Sequence, residues 1–472
     1  MILSIDLGTS KICVAVVDPA TAKPVEILSR PNDSDVVNLA DDLHEQNPLR
    51  TRQICFDLIK EMLDDDQIRG FNIDAIGISG QMHGVMLADG NLKPITNLIT
   101  WRDRRTAREN EPGYIGASIA LLDDGAEGRT GCRLAVGYGA ATLRWLEQNG
   151  MIPSNCTALT IAGFIAASLC GQVAIDETHA ASWGILDIQK NQWDERCVDN
   201  LGLSRSLLPG IAPAGAPMGR ISDDVRANLG ISGDAVVCSP IGDCQASVIG
   251  CAGFSSDTIV VNIGTGAQIS IPSASSAHTE ELDAWPMPFG GYLQLGAALC
   301  GGWAYAYLKQ FYQSVAREIC GVTLSDEEIY ERMNALAGSA DCDAAGLVVD
   351  TRFSGTRKDK QPKGAVIGIN TFNFSPDNLT AAFLEGIVSE LHSMLLTTDA
   401  DAVKRVVASG NAVRKNPALG SVIRRRFGRE CFISQLPEEA ARGAAYTAAV
   451  GVGAIGAADI TAKIRQFVEL IG

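Results

Sequence analysis

Ile2-Leu3-Ser4-Ile5-Asp6-Leu7-Gly8-Thr9 opens the chain and runs through Ser10 and Lys11 into Ile12-Cys13-Val14-Ala15-Val16-Val17. Two apolar runs rich in β-branched residues, joined by a Gly-Thr reversal, form the pattern of a β-hairpin. The same order returns near the middle, where Ile259-Val260-Val261-Asn262-Ile263-Gly264-Thr265-Gly266 leads into Ile269-Ser270-Ile271. Each hairpin is followed by a helical run and then by a buried strand ending in small residues. In the first half these are residues 54–62 and Ile73-Asp74-Ala75-Ile76-Gly77-Ile78-Ser79-Gly80. In the second half they are residues 379–396, with Phe383, Ile387, Leu391 and Leu395 along one side, and Val406-Val407-Ala408-Ser409-Gly410. A hairpin–helix–strand unit used twice predicts an α/β fold of two related lobes, with the cleft between them as the site.

Length agrees with that division. A chain of 472 residues exceeds what one ordinary core can organise, and two domains are the natural expectation. The boundary is expected between Cys244 and Asp257. That divides the chain into residues 1–250 and residues 251–472.

The formal net charge of −16 argues against a nucleic-acid binder or a membrane-surface protein, both of which need a basic stripe or face. The one basic cluster, Arg424-Arg425-Arg426 with Arg429, reads as a solvated helix face. Thirteen cysteines are scattered without a Cys-x-x-Cys pair, which suits reduced, buried thiols better than a zinc site. A charge as early as Asp6 suits no export signal, and the Ala/Gly-rich stretch 440–458 suits a packed helix better than a membrane span. A cytoplasmic protein is expected. Its oligomeric state is left open, a homodimer among the options.

The motifs sit at strand ends. Asp6-Leu7-Gly8-Thr9-Ser10 offers a turn whose Gly8 lets phosphate oxygens approach backbone N–H groups, with Thr9 and Ser10 hydroxyls as further donors. Asp6 is suited to holding a hydrated Mg²⁺. An ordinary hairpin turn would look the same, but the repeat at Gly264-Thr265 favours two facing cradles. The second copy has Asn262 where the first has Asp6, so the metal role falls to Asp6 alone. Ser79-Gly80-Gln81-Met82-His83-Gly84 puts polar side chains at a strand's carboxyl end, a setting for a polyol. Trp101 with Asp103 offers an apolar plate beside an acceptor, or equally a buried Trp beside a surface ion pair. Asp243, in Ile241-Gly242-Asp243-Cys244-Gln245, is a candidate general base on an attacking hydroxyl and also a candidate N-cap for a helix beginning near Gln245. In Ser409-Gly410-Asn411-Ala412-Val413-Arg414-Lys415-Asn416, small residues let a flat base lie on the backbone, with Asn416 one turn into the helix to hydrogen-bond it.

Taken together and in this order, these motifs resemble the FGGY-type carbohydrate kinase family over essentially the whole chain. Gly80-Gln81-Met82-His83-Gly84 resembles its ketose kinases, as do residues 98–103, 137–142, 180–184, 242–247 and 391–395. The resemblance implies two actin-like, ribonuclease-H-like lobes with an active-site cleft between them. The implied reaction is phosphorylation of a ketose by ATP with Mg²⁺, sedoheptulose in the first place, xylulose or another ketose or polyol in the second. A non-enzymatic actin- or chaperone-like ATPase would keep both turns but need neither Gln81-Met82-His83 nor Asp243. By the same resemblance Asp243 is the base, and Asp6 holds the metal through water. Gly8, Thr9, Ser10, Gly264 and Thr265 grip the phosphates, while Gly410, Asn411 and Asn416 lie under the adenosine. Gln81, Met82, His83, Trp101 and Asp103 line the sugar pocket. Two positions depart from the family pattern. Lys11 comes early and Cys13 stands where a basic residue is usual, and a Gly-Glu-Arg stretch appears as Ser354-Gly355-Thr356-Arg357, without its acid.

Overall fold

The computed structural model describes residues 1–340, 343–356, 361 and 363–471; Arg357 lies outside them. The first hairpin is β1 (Ile2–Leu7) and β2 (Lys11–Asp18), extended by β3 (Lys23–Pro31). Helix α1 (Pro48–Asp64) follows, its first turn capped by the Asn47 side chain accepting from Leu49 and Arg50 N–H groups. Ile54, Leu58, Ile59 and Met62 form its buried stripe, the spacing that turns one helix face onto a sheet. Strand β4 (Ala75–Gly80) is buried throughout and pairs parallel with β1. Helix α2 (Ile161–Cys170) covers the same sheet, and β5 (Pro217–Arg220), β6 (Val236–Cys238) and the short β7 (Ile241–Gly242) complete it. The order is β5-β6-β4-β1-β2-β3, with β7 beside the end of β4.

Helix α3 (Asp243–Ala252) leads out of this sheet, and the second sheet begins with β8 (Thr258–Ile263) and β9 (Ala267–Ser273). It continues through β10 (Asp283–Pro286) and β11 (Tyr292–Ala298), then helices α4 (Gly302–Cys320), α5 (Asp326–Ser339) and α6 (Pro376–Leu395). After β12 (Arg405–Ser409) come α7 (Asn411–Lys415), α8 (Pro417–Phe427), β13 (Glu430–Ser434), α9 (Glu439–Gly451) and, at the edge, β14 (Val468–Leu470). The order is β10-β11-β9-β8-β12-β13-β14. The central pattern β6-β4-β1-β2-β3 is repeated as β13-β12-β8-β9-β11, with the hairpins antiparallel and the crossovers parallel in both. The duplication expected from the echoing hairpins is therefore present as architecture: two actin-like lobes of mixed sheet with helices on their faces.

Helix α9 follows β13 of the second sheet in the chain yet packs on α3 and on β1 and β4 of the first. Glycine permits the approach. A Cβ on Gly443 would stand 1.8 Å from the Ala246 carbonyl oxygen, and one on Gly250 would stand 2.0 Å from that of Glu439. The Arg442 guanidinium is buried in the crossing and donates to the carbonyls of Gly250, Leu436 and Pro437 at 2.8–3.0 Å.

Three local expectations need correction. Arg425 and Arg426 are not merely solvated, because both donate to the buried Glu385 carboxylate from the end of α8. Asp243 is the first residue of α3 and Gly242 its cap, so the helix begins two residues before Gln245. Asn416 lies between two short helices, closing α7 and capping α8, where its side chain accepts from the Leu419 N–H at 3.3 Å.

Candidate active site

Strand β4 places the two carboxylates. Asp6 lies opposite Ser79 on one side of it, and on the other side Ile241 lies opposite Ser79 and Gly242 opposite Gly80. With neighbouring strands about 4.8 Å apart, β1 and β7 bring Asp6 and Asp243 to the same end of the sheet. Asp6 accepts a hydrogen bond from the Ser79 hydroxyl at 2.6 Å. Burial nevertheless pushes its carboxyl up to about 7, the negative charges of Asp243 and Glu438 adding to the rise and Lys11 opposing it. Burial also raises Asp243, while the His179 imidazole pulls it back. Burial thus leaves both acids above the ordinary carboxylate range, a common condition for groups that meet a cation or a proton during turnover.

Asp243 is held from behind. The Thr178 hydroxyl accepts from the Gly242 N–H at 2.7 Å and donates to Asp176. His179 is fully buried, with Nδ1 2.5 Å from Asp176 and Nε2 3.2 Å from the Gly80 carbonyl. Burial alone would depress the imidazole, but the Asp176 carboxylate overrides it and the net shift is upward. Both ring nitrogens face acceptors, so the cationic form is favoured next to Asp243.

Among the residues expected to line a sugar pocket, Gln81 is buried, accepting from the Thr9 hydroxyl at 3.1 Å and donating to Gln46 Oε1 at 2.8 Å. Gln46 in turn donates to the Thr9 carbonyl at 2.8 Å. Trp101, half exposed, donates its indole N–H to the same Thr9 hydroxyl at 2.9 Å. Thr9, expected to face phosphate, thus ties Gln81 and Trp101 to the first turn. The Ser10 side chain is exposed and its carbonyl accepts from the Asn32 N–H at 3.0 Å. Met82 packs against Gly242, where an added Cβ would meet its Cγ and Sδ at 3.0 Å. His83 adopts φ of 70°, and its backbone N–H and ring Nδ1 both reach Ser182, at 2.9 and 2.7 Å. Its ring stacks on Tyr138 at 4.3 Å and meets the edge of Trp285, from the second lobe's β10, at 5.7 Å. Asp103 stands apart. It is buried, with both oxygens engaged by Arg105 and by the His44 N–H, so it braces the loop carrying Trp101.

The second lobe carries the other half. Gly264 lies in a turn whose carbonyl accepts from the Gly302 N–H at 2.8 Å, and the Thr265 carbonyl accepts from the N–H groups of Gly301 and Trp303. Asn262, at the position of Asp6, donates instead to the Ser409 hydroxyl at 2.9 Å. Gly410 takes φ of 94°, and a Cβ there would stand 2.5 Å from the Ile263 carbonyl. A cavity of about 630 Å³ brings Gly264, Thr265, Gly410 and Asn411 together with Lys11 and Glu438. A second, of about 620 Å³, continues past Asn411 to Asn416, Tyr305, Tyr330 and Leu384. Among the described residues the Asn416 Nδ2 is buried without a hydrogen-bond partner, a standing cost that an acceptor on a ligand would relieve. Gly8, Thr9 and Ser10 line neither of these two cavities, and the Gly8 carbonyl accepts from the Asn32 side chain at 2.9 Å.

Sequence reasoning overlooked Gln46, the Asp176-Thr178-His179 cluster and Glu438. Asp176-Glu177-Thr178-His179 is conspicuous for four chemistry-bearing residues together, but only the fold puts it behind Asp243.

The fold has two lobes of paired hairpins, two buried acids at one end of a sheet, and a cavity of about 630 Å³ bounded by glycine turns; the chain belongs to the FGGY family of carbohydrate kinases. The family's N-terminal domain matches residues 1–250 and its C-terminal domain residues 259–452. It is a sugar kinase by that membership. The chain is 27% identical to sedoheptulokinase of Mus musculus over 460 residues, covering 90% of this chain and 92% of that one. It is 23% identical to the xylulose kinase of Bacillus subtilis over 470 residues, covering 96% and 88%. Among solved structures, xylulose kinase from Rhodospirillum rubrum superposes with a TM-score of 0.86 at 21% identity, covering 99% and 92%. Plasmodium falciparum glycerol kinase with ADP superposes with 0.84 at 20%, covering 98% and 92%. At such identity the structural likeness speaks to fold.

Proposed function

We propose that the chain is an ATP-dependent ketose kinase that converts sedoheptulose to sedoheptulose 7-phosphate. The observation carrying this reading is the convergence of Asp243 and Asp6 at one strand end. Gln81, Met82 and His83 follow that same strand, Trp101 is tied to the first turn through Thr9, and the Gly264–Thr265 and Gly410–Asn411 turns share a cavity with Lys11. Asp243 takes the proton of the terminal hydroxyl as its oxygen attacks the γ-phosphorus, and ADP leaves with the bridging electron pair. The buried His179 cation stabilises the ionised base before the step. Asp6 supplies a hard oxygen suited to Mg²⁺ with its water shell, and the bound ion would neutralise phosphate charge. Among the described residues no cluster of three or more ligating side chains could hold a metal ion, so water and the nucleotide would complete its shell. Asn416 and the pocket beyond Asn411 take the adenine. On this reading residues 1–250 handle the sugar and residues 251–472 the nucleotide, in the cytoplasm. Among the described residues no helix is long and apolar enough to cross a membrane.

Relatives named for sedoheptulose and for xylulose both align along most of the chain, which makes xylulose the second reading. The deciding experiment compares kcat/KM for sedoheptulose, xylulose, ribulose, fructose and glycerol in an assay of ADP release. Sedoheptulose is expected to lead; a wide margin for xylulose would reverse the order, and no sugar-dependent ADP release would end the kinase reading.

A further inference from the structure

The cavity beside Gly264 and Thr265 must receive a polyanion in a chain of net charge −16. Two cations line it, Lys11 and Arg414, and both are paired with carboxylates. Arg414 is fixed: it donates to Glu439 and to the Ser434 carbonyl at 3.2 Å, with its side chain mostly covered. Lys11 is held differently. Its Nζ donates to Glu438 Oε1 at 2.6 Å while nearly half of the side chain is exposed, so its flexible stem can swing about the turn.

The strand register explains why Lys11 has this position. Asp6 pairs with Cys13 across β1 and β2, so Cys13 and, two residues nearer the turn, Lys11 face the same side as Asp6. Cys13 is fully buried against α9. Position 11 lies roughly 6–7 Å nearer the Gly8–Thr9 turn than position 13, about the reach of a lysine stem. Glu438 comes from the far side, immediately before α9, with φ of 54° and ψ of 56°.

We infer that Lys11 is a phosphate ligand that Glu438 holds across the mouth of the cavity and that bound nucleotide draws away. This rests on the nucleotide reading of the site and deepens it, naming the cation that serves the terminal phosphates and the acid that competes for it. A lysine shared between one carboxylate and an incoming triphosphate gives opposite signs for its two partners. Removing the cation weakens nucleotide binding; removing the competing acid strengthens it.

Calorimetric titration of Mg·ATP and Mg·ADP into the wild-type chain, Lys11→Met, Glu438→Gln and the double variant tests this without turnover. Lys11→Met is expected to weaken ATP about 10- to 100-fold, the range for a hydrogen bond to a charged group, and ADP less. Glu438→Gln is expected to tighten ATP several-fold, and the double variant to match Lys11→Met. ATP binding equal to wild type in Lys11→Met overturns the inference while leaving the kinase reading intact. Weaker ATP binding in Glu438→Gln also overturns it, by showing that the pair is a structural latch or that Glu438 serves the metal. A wild-type chain that binds no Mg·ATP removes the underlying reading as well. Thermal melts of each variant establish that the titrated protein is folded.

Discussion

His179 and Asp176 form a fully buried pair, Nδ1 to Oδ2 at 2.5 Å, with the other imidazole nitrogen 3.2 Å from the Gly80 carbonyl and the ring within electrostatic reach of Asp243. A positive charge so placed favours an ionised Asp243, whose own burial works the other way.

Replacing His179 with Gln therefore leaves the base harder to ionise. The acid limb of kcat/KM against pH should move to higher pH, so that the variant loses more activity at pH 6 than at pH 8. A pH–rate profile checks this. A uniform loss at all pH values would mean that His179 only holds the turn in place.

Asp243→Asn keeps the size of the side chain and removes its proton acceptor. Turnover should fall by roughly 10²–10⁴, the usual contribution of a general base, while ATP affinity by titration stays within about threefold. The base acts in the transition state, not in nucleotide binding. Near-normal turnover would take Asp243 out of this role.

Asp6 makes stability depend on pH. Its folded pKa of about 7 lies above the ordinary 3.8, so between those values the folded chain holds a proton that the unfolded chain has lost. Stability from this group is then full below pH 3.8 and declines as pH rises through 7. Asp6→Asn should melt with the wild type near pH 4 and a few degrees above it at pH 8 without nucleotide, each 1 kcal/mol being worth roughly 2–4 °C in large domains. The variant should also lose its response to Mg²⁺ in nucleotide binding. Melting curves at the two pH values, with and without Mg·ATP, measure both.

Gly443→Ala tests the helix crossing. Its new methyl would collide with the Ala246 carbonyl oxygen, and overpacking of this kind costs about 1–3 kcal/mol. A clear fall in Tm is expected, against little change for Gly128→Ala, where an added Cβ meets nothing within 4 Å.

The lobes were legible because their signal is local and repeated. Ile2 to Val17 and Ile259 to Ile271 each contain a whole hairpin, and β-branched alternation with a Gly-Thr turn allows few other structures. Strand ends followed by small and polar residues marked Asp6, Gln81, Asp243, Gly264 and Gly410 for the same reason. Short sequence distance suffices to place a side chain at the end of its own strand.

Partnership between distant segments was beyond that reach. Nothing in the one-dimensional order says that Lys11 meets Glu438, that Thr9 holds Trp101, or that Thr178 holds Gly242 beside Asp243; these contacts span from 64 to 427 positions. The return of α9 to the first sheet, allowed by Gly443 and Gly250, brings Glu438 to the cavity, and the pairing of β7 with β4 sets Asp243 across from Asp6. Local propensity chose the elements of this protein. Packing between them chose which charges would face one another, because burial and Coulomb energy depend on distance in space and not along the chain.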